Sequence, residues 1–236
     1  MAYAGEAAPR WQFIRGLLES FTPTGARIVE LGAAPGDQSL QLQRDGYRVT
    51  AVDLGTSSDA WGGQPEGSMR ARFDEAGVAL VEWNLEQTPY PLEDATFDAV
   101  LLTEVLEHLR DYPLQALTEC ARILKPGGVL ILTTPNSAYI RNRLALLAGR
   151  TVYTNLTDWM FGEPHARHAR EYTRSELELL VHEAHLDLAL LTSRHFYTNL
   201  GSRTLGALVA KRLIDRLARW RPSLGPSLVV VARRPQ

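Results

Sequence analysis

Short apolar runs alternate with helical patterns along the first 135 residues. Runs rich in Val, Ile and Leu predict strands at 27–31, 48–52, 78–83, 97–102 and 129–133. Helical periodicity between them predicts helices at 9–21, 37–45 and 114–124, and the turn 125–128 is expected to separate the last helix from the fifth strand. This alternation is typical of a mostly parallel sheet flanked by helices.

The last hundred residues are less regular. They predict helices at 138–147, 174–185 and 203–220, strands at 188–196 and 227–232, and an irregular segment up to about residue 168. The Gly- and Ser-rich stretch 55–67 is predicted to be a loop. A final strand that follows a helix is expected to insert antiparallel beside its predecessor. The chain therefore predicts an α/β fold with seven strands.

Composition narrows the class of protein. The 236 residues are 45% apolar and 22% charged, which is typical of a globular chain, and we expect one domain over 1–236. A single cysteine, Cys120, excludes a disulfide framework and a multi-thiolate metal site. No apolar run approaches the roughly 18 residues of a membrane helix, and the N-terminal residues do not resemble a secretory signal, so we expect a cytoplasmic protein without a membrane span.

Charge is distributed unevenly along the chain. The net charge of −2 is the sum of −10 before Arg194 and +8 from there to the end. Seven acids and no Lys or Arg lie between Glu82 and Glu107, and such a surface repels RNA phosphates. The basic helix predicted at 203–220 is amphipathic, and we expect its apolar face to cover the sheet rather than to lie on a membrane.

The clearest chemical signal follows the first strand. Gly32 and Gly36 bracket a tight turn in front of a helix, whose N-terminus presents free N–H groups to a ligand. Asp53 lies 17 residues beyond Gly36, where an acid accepts hydrogen bonds from a ribose. The full pattern of a pyrophosphate-binding loop is absent. Glu30, at the end of the first strand, suits a ligand with an ammonium or sulfonium charge.

Five sequence stretches in order carry a family resemblance. ELGAAPG, AVDLG, WNLEQTPYPLEDATFDAVLLTEVLEHL, RILKPGGVLILTTPN and HAREYTRSELELLV resemble the class I S-adenosylmethionine-dependent methyltransferases, in particular the branch that modifies small molecules and glycans. The resemblance implies a Rossmann-like sheet in the order 3-2-1-4-5-7-6, with strand 7 antiparallel and helices on both faces. It also implies S-adenosyl-L-methionine as cofactor and S-adenosyl-L-homocysteine as product.

The resemblance assigns cofactor roles position by position. The glycine turn would wrap the methionine part and the acid before it would orient the turn or the amino group. The acid after strand two would hold the ribose, the pair after strand three the adenine, and the pair after strand four would flank the sulfonium. Asn84 stands where aspartate is common and Ala34 where glycine is usual. The assigned residues are Glu30, Gly32, Ala33, Gly36, Asp53, Asn84, Leu85, Thr103 and Glu104.

The acceptor side is less clearly marked. Glu104, Glu107 and His108 would share one face of a helix, where they could bind a divalent cation, fix the loop structurally, or provide His108 as a general base. The cluster resembles part of the metal site of small-RNA 3′-end methyltransferases, in which His165 or His168 would supply a further ligand. We assign no metal here and take His108 and His168 as the candidate catalytic bases.

The predicted function is methyl transfer from S-adenosylmethionine, most simply O-methylation of a small molecule, sugar or natural-product intermediate. The segment 137–172 is expected to form the acceptor lid. One alternative is an RNA ribose 2′-O-methyltransferase, with or without a divalent metal, although the acidic stretch makes a nucleic-acid partner unfavourable. Another is a cofactor-binding module without catalysis. The methyl acceptor, the atom methylated and the oligomeric state stay open.

Overall fold

The computed structural model describes residues 2–54, 68–153, 156–161, 167–196, 209, 213, 216 and 220–236. Seven α-helices have defined bounds in this part of the chain: α1 (Ala2–Phe21), α2 (Asp37–Arg44), α3 (Met69–Ala76), α4 (Pro113–Ile123), α5 (Ile140–Leu147), α6 (Leu156–Phe161) and α7 (Arg174–Glu183). The strands are β1 (Arg27–Leu31), β2 (Arg48–Asp53), β3 (Ala79–Glu82), β4 (Phe97–Thr103), β5 (Leu124–Pro135), β6 (Asp187–Arg194) and β7 (Ser227–Arg233).

The strands form one sheet in the order β3-β2-β1-β4-β5-β7-β6. The first five pair in parallel, whereas β7 runs antiparallel to both β5 and β6. The predicted order, the antiparallel last strand and the Rossmann-like α/β class are confirmed.

Alternating side chains of the central strands feed two apolar cores, one on each face of the sheet. On one face Leu117 of α4 and Leu177 of α7 pack against the strands. On the other face Ile14 of α1, Leu40 of α2 and Phe73 of α3 do the same. These five side chains are at most 5% exposed, so helices cover both faces as predicted.

Local signals explain where two of the helices begin. Gly36 precedes α2 with φ +96°, a left-handed conformation that glycine adopts without the strain of a Cβ. Thr173 caps α7 in a capping box, since its hydroxyl accepts from Glu176 N while the Glu176 carboxylate accepts from Thr173 N.

The structure corrects three boundaries. The residues 125–128 do not separate α4 from β5, because Leu124 already pairs with Phe97 and the sheet absorbs the extra residues as a register shift. Helix α1 begins at Ala2 rather than at residue 9, because the alanine-rich start is a good helix former. The segment predicted to be irregular contains α6.

Some predictions lie outside the described residues. These are the loop at 55–67, His165 and most of the helix predicted at 203–220. Among the helices that the structure describes, none combines the length and the apolar character needed to cross a membrane.

Candidate functional site

The register of the sheet brings the predicted cofactor residues to one edge. Leu31 is paired with Val52 on one side and with Leu102 on the other. The residues that follow each of these, Gly32, Asp53 and Thr103, therefore emerge at the same level of the sheet. This is the carboxyl edge between β1, β2 and β4, where parallel α/β sheets bind their ligands.

The glycine turn makes a tight cradle at this edge. Gly32 has φ +76°, and a Cβ there would collide with the Val105 side chain. At Gly36, with φ +96°, a Cβ would lie 2.8 Å from the Phe73 ring. Ala33, between them, is buried, and its carbonyl accepts from Gly36 N at 2.7 Å. No larger residue fits at either glycine without displacing a side chain, so the backbone itself forms the wall of the cradle.

Asp53 also fixes the turn. Its Oδ2 accepts a hydrogen bond from Ala34 N at 2.8 Å, and Gly32 N donates to Val52 O at 2.8 Å. The carboxylate is buried at the tip of β2. Sequence reasoning missed the contact with Ala34, because a hydrogen bond between residues 19 positions apart leaves no local pattern.

Glu30 lies beneath the turn, 3% exposed, and accepts a hydrogen bond from Ser39 Oγ of α2. Burial, with a smaller contribution from the neighbouring Asp53 charge, raises its pKa to about 8 against the lowering effects of the Ser39 hydrogen bond and of Arg10. Glu30 thus joins β1 to α2 and holds a carboxyl group that is costly to ionise without an additional cation nearby.

Asn84 and Leu85 lie just past β3, beside Asp53. The Trp83 N–H donates to Asp53 O at 2.8 Å, so the chain leaves β3 alongside the tip of β2. Asn84 Oδ1 accepts from Glu86 N at 3.0 Å and shapes this turn, while Leu85 packs on the apolar core. The pair expected to meet an adenine therefore lies at the same edge as the ribose-binding candidate.

Thr103 and Glu104 end β4 at the centre of the edge. Glu104 adopts φ +55°, its N–H donates to Thr133 O at 2.8 Å, and its carboxylate accepts from Thr133 Oγ1 at 2.9 Å. Arg10 of α1 lies 3.7 Å from the same carboxylate and is 6% exposed. Nothing in the sequence around Arg10 marks it as part of a site 94 residues away.

Acidic groups outnumber basic ones around this edge. Glu30 and Asp53 repel each other, as do Glu104 and Glu107, and the Arg10 charge acts favourably on Glu30 and Glu107. Burial and the Glu104 charge raise the pKa of Glu107 well above its usual range. Four carboxyl groups and one guanidinium line this edge, so a cationic ligand would favour ionisation of Glu30 and Glu107, the two carboxyls whose pKa is raised, and would be stabilised by them in return.

A second cluster combines Glu107, His108 and His168. One potential ligand atom from each lies within 4.8 Å of those of the other two, and the two imidazole rings meet edge to face at 5.1 Å. The chain brings them together because Ala169 N donates to Glu107 O at 2.7 Å. Glu107 is 1% exposed and accepts from Thr134 Oγ1 at 2.9 Å.

The predicted helix face at this cluster is wrong. Only Leu106–His108 forms a turn of 3-10 helix, and the left-handed backbone at Glu104 turns its carboxylate toward Arg10 and Thr133 instead. The described group with metal-ligating side chains is Glu107–His108–His168, without Glu104.

Hydrogen bonds select the tautomer of both imidazoles. His108 Nδ1 lies 3.2 Å from Arg167 O, and His168 Nδ1 lies 2.9 Å from Glu171 Oε1. A carbonyl and a carboxylate can only accept, so Nδ1 is the protonated nitrogen in both neutral rings. Each Nε2 then carries the lone pair, the state in which an imidazole accepts a proton or binds a metal.

Comparison with known proteins agrees with this arrangement. Residues 4–191 match the methyltransferase domain family. The chain belongs to this family. A ubiquinone biosynthesis O-methyltransferase of Xanthomonas axonopodis pv. citri is 34% identical over 147 residues, which cover 61% of this chain and 56% of that protein. This chain therefore matches only about half the length of that relative.

Solved structures share the fold of this family member. An S-adenosylmethionine-dependent methyltransferase from Mesorhizobium loti aligns with a TM-score of 0.61 at 20% identity, over 93% of this chain and 96% of that one. The Burkholderia thailandensis 1,6-didemethyltoxoflavin-N1-methyltransferase, determined with bound 1,6-didemethyltoxoflavin and S-adenosylhomocysteine, aligns with a TM-score of 0.61 at 20% identity, over 100% of this chain and 81% of that one.

Proposed function

We propose that this chain transfers a methyl group from S-adenosyl-L-methionine to a hydroxyl group of a small molecule. The observation that carries the proposal is the excess of carboxyl groups around the glycine turn, a fitting environment for a sulfonium and an ammonium charge. Bound there, the cofactor supplies an electrophilic methyl group on a positively charged sulfur. Membership of the methyltransferase domain family supports the same conclusion.

The edge residues divide the cofactor between them in this proposal. The turn from Gly32 to Gly36 receives the methionine part, and the Asp53 carboxylate the ribose hydroxyls. Asn84 and Leu85 receive the adenine edge and face. Thr103 and Glu104 flank the reacting end. Tight positioning matters most, because methyl transfer requires the acceptor oxygen to lie in line with the sulfur.

The acceptor hydroxyl loses its proton at the histidine pair. His168 is the stronger candidate base, since the Glu171 carboxylate at 2.9 Å from its Nδ1 orients the ring. His108 lies edge to face beside it and is held by a backbone carbonyl. The name of the Xanthomonas relative supports oxygen as the acceptor atom.

One observation favours a second mode of hydroxyl activation. Glu107, His108 and His168 offer a carboxylate and two imidazoles within 4.8 Å, a donor set that suits a divalent transition metal. A cation held there would lower the pKa of an acceptor hydroxyl by coordination, and the histidines would act as ligands rather than as bases.

Calorimetric titration with S-adenosylhomocysteine tests the cofactor half. We expect micromolar binding by the wild-type chain and its loss in D53A, with Asp45→Ala as control because Asp45 lies at the opposite end of α2. Absence of binding by the folded wild-type chain would contradict the proposal.

Methylation of a panel of catechols, phenols and sugars tests the acceptor half. A base mechanism predicts that His168→Ala lowers kcat by 10²–10⁴-fold with little change in S-adenosylhomocysteine affinity. Chelation before the assay separates the two modes: activity that survives chelation assigns His168 as base, and activity that returns only with added Mn²⁺ or Zn²⁺ assigns the cluster as a metal site.

A further inference from the structure

Helix α5 lies at the surface of the described structure. None of its eight residues is buried. Leu144, Leu146 and Leu147 are 57%, 59% and 84% exposed. A helix in water normally buries an apolar stripe against the body of its protein. This one presents its leucines outward.

The apolar exposure continues into α6. Leu156, Trp159 and Phe161 are 71%, 49% and 79% exposed. Of the sixteen exposed large apolar side chains in the described part of the chain, eight lie between residues 144 and 161. Single exposed leucines are ordinary, but eight large apolar side chains exposed within one stretch of the chain are unusual for a surface that contacts only water.

This segment is also locally basic in an acidic body. Arg141, Arg143 and Arg150 are exposed, and between residues 137 and 162 the sequence contains one acid, Asp158. The chain before Arg194 as a whole carries −10. We call the exposed apolar side chains of 144–161 together with these three arginines the α5–α6 surface. Leucine, aromatic residues and arginine in one exposed segment are the composition of helices that lie in a membrane interface.

A second set of exposed apolar side chains lies near the carboxyl end of the chain. Val209, Leu213 and Trp220 are helical and 58%, 58% and 79% exposed, so these members of the predicted amphipathic face do not cover the sheet as expected. Just beyond Trp220, Ser223 and Gly225 lie beside the end of β5, because Asn136 Nδ2 donates to Ser223 O at 3.0 Å and to Gly225 O at 2.7 Å.

We propose that the α5–α6 surface docks this protein on the surface of an anionic lipid bilayer. The apolar side chains would enter the boundary between headgroups and acyl chains, and the arginines would contact the anionic headgroups. The Arg221 guanidinium lies over the exposed Trp220 ring at 5.9 Å, so arginine and exposed apolar side chains also occur together outside α5 and α6.

The docking surface lies next to the acceptor cluster. The Arg167 guanidinium stacks over the Trp159 ring at 5.2 Å, and its carbonyl accepts from His108 Nδ1. Resting on the proposed function, this connection means that a lipophilic hydroxyl compound leaving the bilayer at α6 would reach the histidine pair. The acceptor class is then a lipophilic alcohol or phenol rather than a free sugar.

Vesicle co-sedimentation tests the docking without any methyl transfer. The purified full chain is mixed with vesicles of phosphatidylcholine alone or with added phosphatidylglycerol. We expect binding to the anionic vesicles that weakens as salt is added. Since each interfacial arginine contributes about a fivefold gain in partitioning, R141Q/R150Q is expected to lower binding about 30-fold. The matched control R44Q/R48Q removes two exposed charges, one at the end of α2 and one at the start of β2, and should bind as the wild type.

Apolar variants complete the test. L147S/F161S should lose binding to the anionic vesicles, whereas L179S/L188S, which changes two exposed leucines on α7 and β6, should not. No binding by the wild type, or equal losses in both arginine pairs, would overturn the proposal. The proposal would also be overturned if the wild type were dimeric without lipid and L147S/F161S were monomeric, because the surface would then join two copies of the chain. Retained S-adenosylhomocysteine binding in every variant separates failure of docking from failure of the proposed function.

Discussion

Replacing Glu30 with glutamine should remove part of the loss of folding stability that the wild-type chain shows as the pH rises. Burial raises the pKa of Glu30 from 4.5 in the unfolded chain to about 8 in the folded one. A carboxyl with a raised folded pKa contributes its stability in full below pH 4.5, and loses it as the pH rises toward 8. Glutamine has the same shape, cannot ionise, and still accepts the hydrogen bond from Ser39.

The size of the effect follows from the two pKa values. Each pH unit between them costs the folded state 1.36 kcal/mol, so from pH 5 to pH 8 the wild-type chain loses at most about 4 kcal/mol through this one group. The free energy of unfolding of E30Q, minus that of the wild type, should therefore grow by up to about 4 kcal/mol over that range.

Urea unfolding at pH 5, 6, 7 and 8, without cofactor, measures this difference. Glu119→Gln is the control: burial would raise the pKa of Glu119, but hydrogen bonds from Arg122 and Tyr90 N outweigh it and lower the pKa. Its stabilisation is lost only as the pH falls below 4.5, so its difference curve should be flat from pH 5 to 8. A flat curve for E30Q as well would refute the view that Glu30 is a neutral buried acid.

Three further substitutions test the frame of the site. Gly32→Ala should lower the free energy of unfolding by about 1–3 kcal/mol in urea, because its φ is positive and its Cβ meets Val105, and Val105→Ala in the same chain should restore part of it. Thr173→Ala removes a helix cap and should cost about 1 kcal/mol in thermal unfolding. Asn136→Ala should cost about 2 kcal/mol and speed proteolysis near residue 223; unchanged proteolysis would contradict its anchoring role.

The regular parts of the fold were predictable because the spacing of apolar residues within a short stretch of sequence is enough to indicate a strand or a helix. The seven apolar runs, the glycine turn and Asp53 all follow from spacing, and the resemblance supplied the strand order. The turn at 125–128 was mispredicted because Gly and Pro usually break a strand, whereas here the pairing of Leu124 with Phe97 carries the strand through.

The site was predictable in position but not in its contacts. The pairing of Arg10 with Glu104 joins residues 94 positions apart, and the backbone at Glu104 is left-handed without a glycine to signal it. That single conformation removed Glu104 from the expected cluster with Glu107. Tertiary context, rather than local propensity, decided both.

The segment between β5 and α7, residues 137–171, leaves and rejoins the sheet at one point. Asn136 and Tyr172 form a parallel bridge, and Ser137 N donates to Tyr172 O at 3.0 Å. Because the two ends are hydrogen-bonded to each other, a change in the length of the chain between them leaves the strand pairing unchanged. Doubling the length of such a loop costs only about 0.6 kcal/mol in closure entropy. This segment can therefore change in length at little cost to the sheet, whereas the turn after β1 and the ends of β2 and β4 are fixed by the strand register.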